Sequence, residues 1–198
     1  MYHSEPARIA SRRTRSAILA VLVFFSATLI GAVTVQWVGP KLSHPRTRTE
    51  AAGAVSHGLK VYDKKSPAVT HLDPDLLRAL RKAATDAAKY KVEIVVNSGW
   101  RSPEYQDRLF RQAVSKYGSK EKAERWVATL NTSSHVSGHA VDIGPARAMA
   151  WLSKHGAAYR LCQIYRNEPW HYELRPEALN NGCPAMYADP GHDPRMHP

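Results

Sequence analysis

Asp142 is an expensive residue where it stands. It falls within Ala140-Val141-Asp142-Ile143, an apolar run that reads as a strand. A carboxylate in such a run costs free energy unless something pairs it. A metal ion is one such partner. His135 lies seven residues earlier, and in a straight strand that odd offset would put the two side chains on opposite faces. Ser137-Gly138 can supply the turn that returns both to one side. His171 sits on the next apparent strand, between Trp170 and Tyr172. Two imidazoles and one carboxylate leave a fourth position open on zinc, as a catalytic site requires. Glu168, three residues before His171 with Pro169 between them, can stand beside that open position as a general base and then as an acid.

Spacing alone leaves alternatives open. A histidine beside a tryptophan is also an ordinary core or surface side chain, and the HExxH helix motif of many zinc proteases is absent. The same donor set also suits iron. His139 alternates with Ala140 and should point away from it, so it is not counted as a ligand. His44, His57, His71, His155, His192 and His197 read as surface or linker residues.

The elements that must position these groups are legible in outline. Asp73-Pro74 is an N-cap followed by proline at the first helical position, opening a helix through Tyr90. Lys91 to Asn97 reads as a strand. Ser102-Pro103 opens a second helix by the same signals, and a third is expected over 120–130. His139 to Ile143 reads as a strand and Ala146 to His155 as a fourth helix. Tyr159 to Tyr165 and Trp170 to Leu174 read as a hairpin turning near Asn167. Helices followed by a small, mostly antiparallel sheet make an α+β fold.

The chain carries 28 Lys and Arg against 17 Asp and Glu, a net charge of +11 over 198 residues. Residues 1–50 hold seven of the bases and two of the acids, so nearly half of the excess lies on a quarter of the chain. No nucleic-acid motif accompanies the charge, and no nucleic-acid partner is expected. Residues 17–38 form an uncharged apolar run preceded by Arg12, Arg13 and Arg15 and ending near Trp37. At a rise of about 1.5 Å per residue the run spans a bilayer core of roughly 30 Å. The basic flank then keeps 1–16 in the cytoplasm and places everything after the run outside it. A membrane anchor is therefore expected, with secretion as the outcome if the segment is a cleaved signal. Residues 39–58 read as a linker, 59–183 as the folded domain and 184–198 as a loose tail. Cys162 and Cys183 are too few for a cysteine-rich scaffold. In an exported chain they are expected to pair, closing a loop of about 20 residues worth roughly 3 kcal/mol.

Three segments together carry a resemblance: S-x-H-x-x-G-x-A-V-D from Ser133 to Asp142, E-P-W-H-Y from Glu168 to Tyr172, and S-G-W-R-S-x-x-x-Q from Ser98 to Gln106. The chain resembles zinc D-alanyl-D-alanine carboxypeptidases of the VanY type. These share a metal-site fold with vancomycin-resistance D,D-dipeptidases, phage L-alanyl-D-glutamate endolysins and the hedgehog signalling domain. The resemblance implies one zinc ion held by His135, Asp142 and His171, with Glu168 as catalytic base. It implies that Arg101 stabilises an oxyanion or grips a substrate carboxylate. It places Ser133 and Gln106 in substrate binding and Trp170 and Tyr172 as walls of the site. The implied activity is hydrolysis of the terminal D-Ala-D-Ala bond of peptidoglycan stem peptides; separately, a monomer is expected. The short segment 164–167 ahead of Glu168 departs from the family pattern. It leaves an L,D-carboxypeptidase, a D,D-dipeptidase or an endopeptidase as alternatives, beside a non-catalytic zinc-stapled binding module.

Overall fold

The computed structural model describes residues 48–197. The expected span over 17–38 lies outside the described residues; among those described, no helix is long and apolar enough to cross a membrane. Among the described residues the α-helices and strands follow one another as α1 (Arg48–Ala51), β1 (Leu59–Lys60), α2 (Pro67–Thr70), α3 (Pro74–Lys89), β2 (Val95–Ser98), α4 (Pro103–Tyr117), α5 (Lys120–Glu124), β3 (Ala140–Gly144), α6 (Ala146–His155), β4 (Leu161–Gln163), β5 (His171–Leu174) and α7 (Ala178–Asn181). The strands form one antiparallel sheet in the order β1-β2-β3-β5-β4. The α+β expectation holds for these residues.

Helix α3 forms where its signals place it. The Asp73 carboxylate accepts from the backbone N–H groups of Asp75 and Leu76, satisfying donors that have no partner within the helix. Leu76, Ala79, Leu80, Ala83 and Ala87 are buried, a stripe three to four residues apart that faces the sheet. They pack with Val96, Val141, Ile143, Leu152, Leu161 and Tyr172 into the main core. Burial of one leucine there is worth about 1.5–3 kcal/mol. The β3 strand has sheet neighbours on both sides and is buried along its whole length.

Four expectations need correction. The strand expected from Lys91 begins only at Val95, because Lys91 takes a left-handed φ of 58° and Val92 N–H bonds back to Ala87 O at 3.1 Å. That turn delays pairing. The helix expected to Leu130 stops at Glu124. Beyond it Thr129 Oγ1 and Thr132 Oγ1 pair at 3.0 Å and Ser133 N–H closes onto Thr129 O, side chains competing with a helical ladder. The connection from β4 to β5 is the longer segment 164–170, and it carries Glu168. Finally, the described parts of both flanks, 48–58 and 184–197, make contacts with the domain that composition does not suggest. At one end Ala52 O accepts from Ser102 N–H at 3.0 Å, and Gly53 is buried against Trp100 O. At the other, residues from Tyr187 onward pack on the domain. Asp189 and Asp193 are buried as acceptors, from Arg125 and His192 and from Tyr165 and Arg195 respectively. Polar composition hid these anchors, since the tail is held by ion pairs rather than by an apolar stripe.

Cys162 on β4 and Cys183 beyond α7 form the expected disulfide, with Cα atoms 5.5 Å apart. It borders a second, smaller core of Cys162, Ile164, Tyr165 and Ala178, against which Tyr187 packs.

Candidate active site

Strand register creates the centre of the site. Asp142 on β3 stands directly opposite His171 on β5 and is paired on its other side with Ser98 on β2. His135 arrives from the loop before β3. Gly138 turns that loop with a φ of +76°, and a Cβ there would come within 2.7 Å of His71 O. Only glycine fits both demands, so the Ser137-Gly138 turn does return His135 to the Asp142 side.

The two imidazoles are held by their outer nitrogens. His135 Nδ1 donates to Gly99 O at 2.8 Å, and His171 Nε2 donates to a Glu173 carboxylate oxygen at 3.1 Å. The inner nitrogens, His135 Nε2 and His171 Nδ1, each lie 3.3 Å from Asp142 Oδ1. All three residues are buried, and their donor atoms lie within 4.8 Å of one another. Tetrahedral ligands about 2.0–2.1 Å from one ion stand roughly 3.3 Å apart. The donor set therefore fits a divalent metal, with the outer ring nitrogens anchored so that the inner ones face the centre.

Three further groups complete the polar centre. Burial alone would raise the Asp142 carboxyl. The neighbouring His135 and His171, helped by Arg101, instead hold it well below the usual carboxylate range. Glu168 lies 4.0 Å from His171 Nδ1 and is 8% exposed. Burial pushes its carboxyl up to about 7, against the lowering effect of His171. It is thus poised to take and release a proton near neutrality. Arg101 uses three of its nitrogens: Nε donates to Ser98 Oγ at 2.8 Å, Nη1 to Gln106 Oε1 at 3.2 Å and Nη2 to Asp142 Oδ2 at 2.9 Å. A guanidinium has five N–H groups, so two remain for another anion.

The structure brings Arg101, Gln106, Ser133, His135, Asp142, Glu168, Trp170 and His171 around one cleft of about 320 Å³. Gln106 serves Arg101 and, through Nε2, Ala128 O at 2.8 Å. Ser133 and Trp170 line the cleft, Trp170 half-exposed. Tyr172 does not wall the site. Neighbours along a strand point to opposite faces, so Tyr172 turns into the core while His171 and Glu173 share the other side. It is 1% exposed and its hydroxyl donates to Met149 O at 3.0 Å. His139 is exposed, 3.9 Å from Asp73, and outside the donor set.

Sequence reasoning missed several residues here. Tyr165 lines the cleft with its ring 5.1 Å from that of His171. Tyr117 and Trp126 stack 5.9 Å apart on another wall, and Met196 reaches the cleft from the tail. Glu173 lies under His171, and its place two residues along the same strand was the available signal.

Comparison with known proteins points to the same stretch of the chain. The model of the D-alanyl-D-alanine carboxypeptidase family, VanY, matches residues 69–177, which include the whole polar centre. A D-alanyl-D-alanine carboxypeptidase of Enterococcus faecalis (strain ATCC 700802 / V583) is 30% identical over 103 residues, covering 39% of this chain and 38% of that protein. The chain thus matches well under half the length of that relative. A mutant of the vancomycin-resistance D,D-pentapeptidase VanY from a VanB-type cassette, solved with Zn(II), shares the fold with a TM-score of 0.53 at 22% identity, over 66% of this chain and 90% of that one. The LD-carboxypeptidase LdcB does so with a TM-score of 0.51 at 22% identity, over 71% and 76%. With the motifs, the donor set and the family match coinciding on one stretch of sequence, the chain belongs to the VanY family of D-alanyl-D-alanine carboxypeptidases.

Proposed function

We propose that this chain is a zinc-dependent carboxypeptidase that removes the terminal D-alanine from peptidoglycan stem peptides ending in D-Ala-D-Ala. The observation that carries the reading is the inward-facing donor set. Two buried imidazoles, each tied by its outer nitrogen, turn their inner nitrogens to one carboxylate oxygen at 3.3 Å. His135, Asp142 and His171 would hold the zinc, which when bound supplies a Lewis acid and lowers the pKa of a nearby water.

The rest is work for the chain's own residues. Glu168 takes a proton from the attacking water and returns it to the departing amine of D-alanine. One O–H and one C–N bond break, and a new C–O and a new N–H bond form. Its carboxyl at about 7 suits both transfers. Arg101, held on three sides, directs its two remaining N–H groups at the oxyanion or at the substrate's terminal carboxylate. Ser133 and Trp170 orient the peptide in the cleft.

The setting is part of the proposal. The apolar run 17–38 behind a basic flank supports a single-pass anchor with this domain on the extracytoplasmic side. The Cys162–Cys183 disulfide supports an oxidising compartment. The test is incubation of the zinc-loaded chain with a pentapeptide ending in D-Ala-D-Ala, followed by mass. Loss of one alanine, abolished by a chelator and by Glu168→Ala, is expected. Loss of two residues, or an internal cut, keeps the metallopeptidase and moves the scissile bond; cleavage of free D-Ala-D-Ala alone makes it a D,D-dipeptidase. Cleavage only of a tetrapeptide makes it an L,D-carboxypeptidase. Tight zinc binding without any cleavage overturns the enzymatic reading in favour of a binding module.

A further inference from the structure

Glu173 is more heavily bonded than a strand residue needs to be. It is 2% exposed, and both of its oxygens are engaged. Oε1 accepts from His171 Nε2 at 3.1 Å and from Ser134 Oγ at 2.9 Å. Oε2 accepts from Arg175 Nη2 at 2.6 Å and from Arg195 Nη1 at 2.8 Å. One carboxylate therefore touches both segments that present imidazoles: β5 directly, and the His135 loop through Ser134.

Arg195 comes from the tail, more than twenty residues on. It is fixed in turn by Asp193, which accepts from the Arg195 backbone N–H and guanidinium at 3.0 Å and is fully buried. Asp193 also accepts from the Tyr165 hydroxyl at 2.9 Å, and the Tyr165 ring lies 5.1 Å from that of His171. The contacts close a ring: His171, Glu173, Arg195, Asp193, Tyr165 and back to His171.

We propose that Glu173 is a positioning residue for the metal centre, and that the tail segment around Asp193 and Arg195 sets it. The proposal rests on the metal-centre reading above and extends it to residues outside the family's three motifs. A carboxylate behind a ligating imidazole fixes the ring and raises its basicity. A buried carboxylate keeps its charge only where cations or donors satisfy it, and Arg195 is one of two cations that do so here. Without Arg195, Glu173 is free to swing toward Arg175 and away from His171. The tail then acts as scaffold for the site as well as lending Met196 to its wall.

The test measures zinc affinity of the full chain by competition with a chromophoric chelator, below the melting temperature of each metal-free variant. Glu173→Ala is expected to bind zinc about 10–100-fold more weakly. Glu173→Gln keeps an acceptor oxygen for His171 and should recover part of the loss. Arg195→Ala, at a partly exposed position, should weaken binding by about tenfold, with partial recovery in Arg195→Lys. In the cobalt-substituted protein, both Glu173→Gln and Arg195→Ala should shift the visible ligand-field bands. Variants with lowered melting temperatures but wild-type zinc affinity and an unchanged cobalt spectrum would reduce the ring to a fold device and overturn the proposal. A wild-type chain that binds no zinc would overturn the metal-centre reading and this one with it.

Discussion

Helices α3 and α4 begin with the same chemistry, a polar N-cap followed by proline, and run for 16 and 15 residues. Their buried faces differ. The α3 helix buries five residues, all Leu or Ala, against the sheet. The α4 helix buries only Gln106 and Ala113. Gln106 accepts from Arg101 and donates to Ala128 O, so the one large side chain that α4 places inside is polar and committed to the site. Identical start signals therefore produced a structural helix and a bracket. What separates them is the face that each buries. The first pair of substitutions follows from that contrast.

Leu80→Ala on α3 carries the largest expected effect. Leu80 is fully buried, and truncation there should cost about 2–5 kcal/mol, depending on how far the core collapses. Urea unfolding reads the loss directly, and hydrolysis measured well below the melting temperature should be unchanged. A cost below about 1 kcal/mol would break the assignment of α3 to the core. Gln106→Leu on α4 comes next. It keeps the volume but leaves Ala128 O and Arg101 Nη1 without their partner, costing about 1–3 kcal/mol. Its distinguishing effect is on rate: a displaced Arg101 should lower kcat/KM by about a hundredfold. If both variants lose stability and activity in the same ratio, the two helices are not different in kind.

Much of this contrast could be read from the residues, and the reasons differ by region. The stripe from Leu76 to Ala87 reports its own burial because apolar spacing is a local signal. The α6 helix was legible for the same reason. Asp142 stood out because it lies in an apolar run, where an unpaired carboxylate is costly, and the resemblance joined it to His135 and His171. The pairing of Asp142 with His171 was not legible, since register is a property of two strands together. Tyr172 was misplaced by treating a motif as a patch, although strand alternation already turns it away from His171. The tail was misread most. Its Pro, His and Asp content looks loose, yet Asp189 and Asp193 are buried because partners from distant segments, Arg125 and Tyr165, reach them. No local pattern encodes such a meeting.

The caps sharpen the comparison at a smaller scale. Asp73 accepts from Asp75 and Leu76 at the start of α3, and Ser102 accepts from Tyr105 at the start of α4. Asp73→Ala and Ser102→Ala should each cost about 1 kcal/mol. Only the second should also slow hydrolysis, because Ser102 adjoins Arg101 and its carbonyl receives Gln106 N–H at 3.0 Å. Equal kinetic effects from the two would mean that α4 does not position the site.

The smallest expected effect lies at acid pH, where each helix holds one carboxyl below its ordinary value. On α3 the hydrogen bond from Lys89 lowers Asp86 from 3.8, with Tyr159 adding to it. On α4 the Glu104 backbone N–H lowers Glu104 from 4.5, with the Ser102 side chain adding to it. A carboxyl depressed on folding stabilises the native state above its unfolded value, and that contribution is lost as pH falls through the folded one. Both helices should therefore lose a little stability below about pH 4, and Asp86→Asn and Glu104→Gln should each flatten that limb. Salt separates them. The Lys89–Asp86 ion pair is exposed and screened, whereas a backbone N–H at a helix start is held by geometry. Added salt should raise the Asp86 titration midpoint, followed by carboxyl-carbon NMR, more than that of Glu104. Equal salt shifts would show that Glu104, too, is held by charge, and would bring α4 closer to α3 than their buried faces suggest.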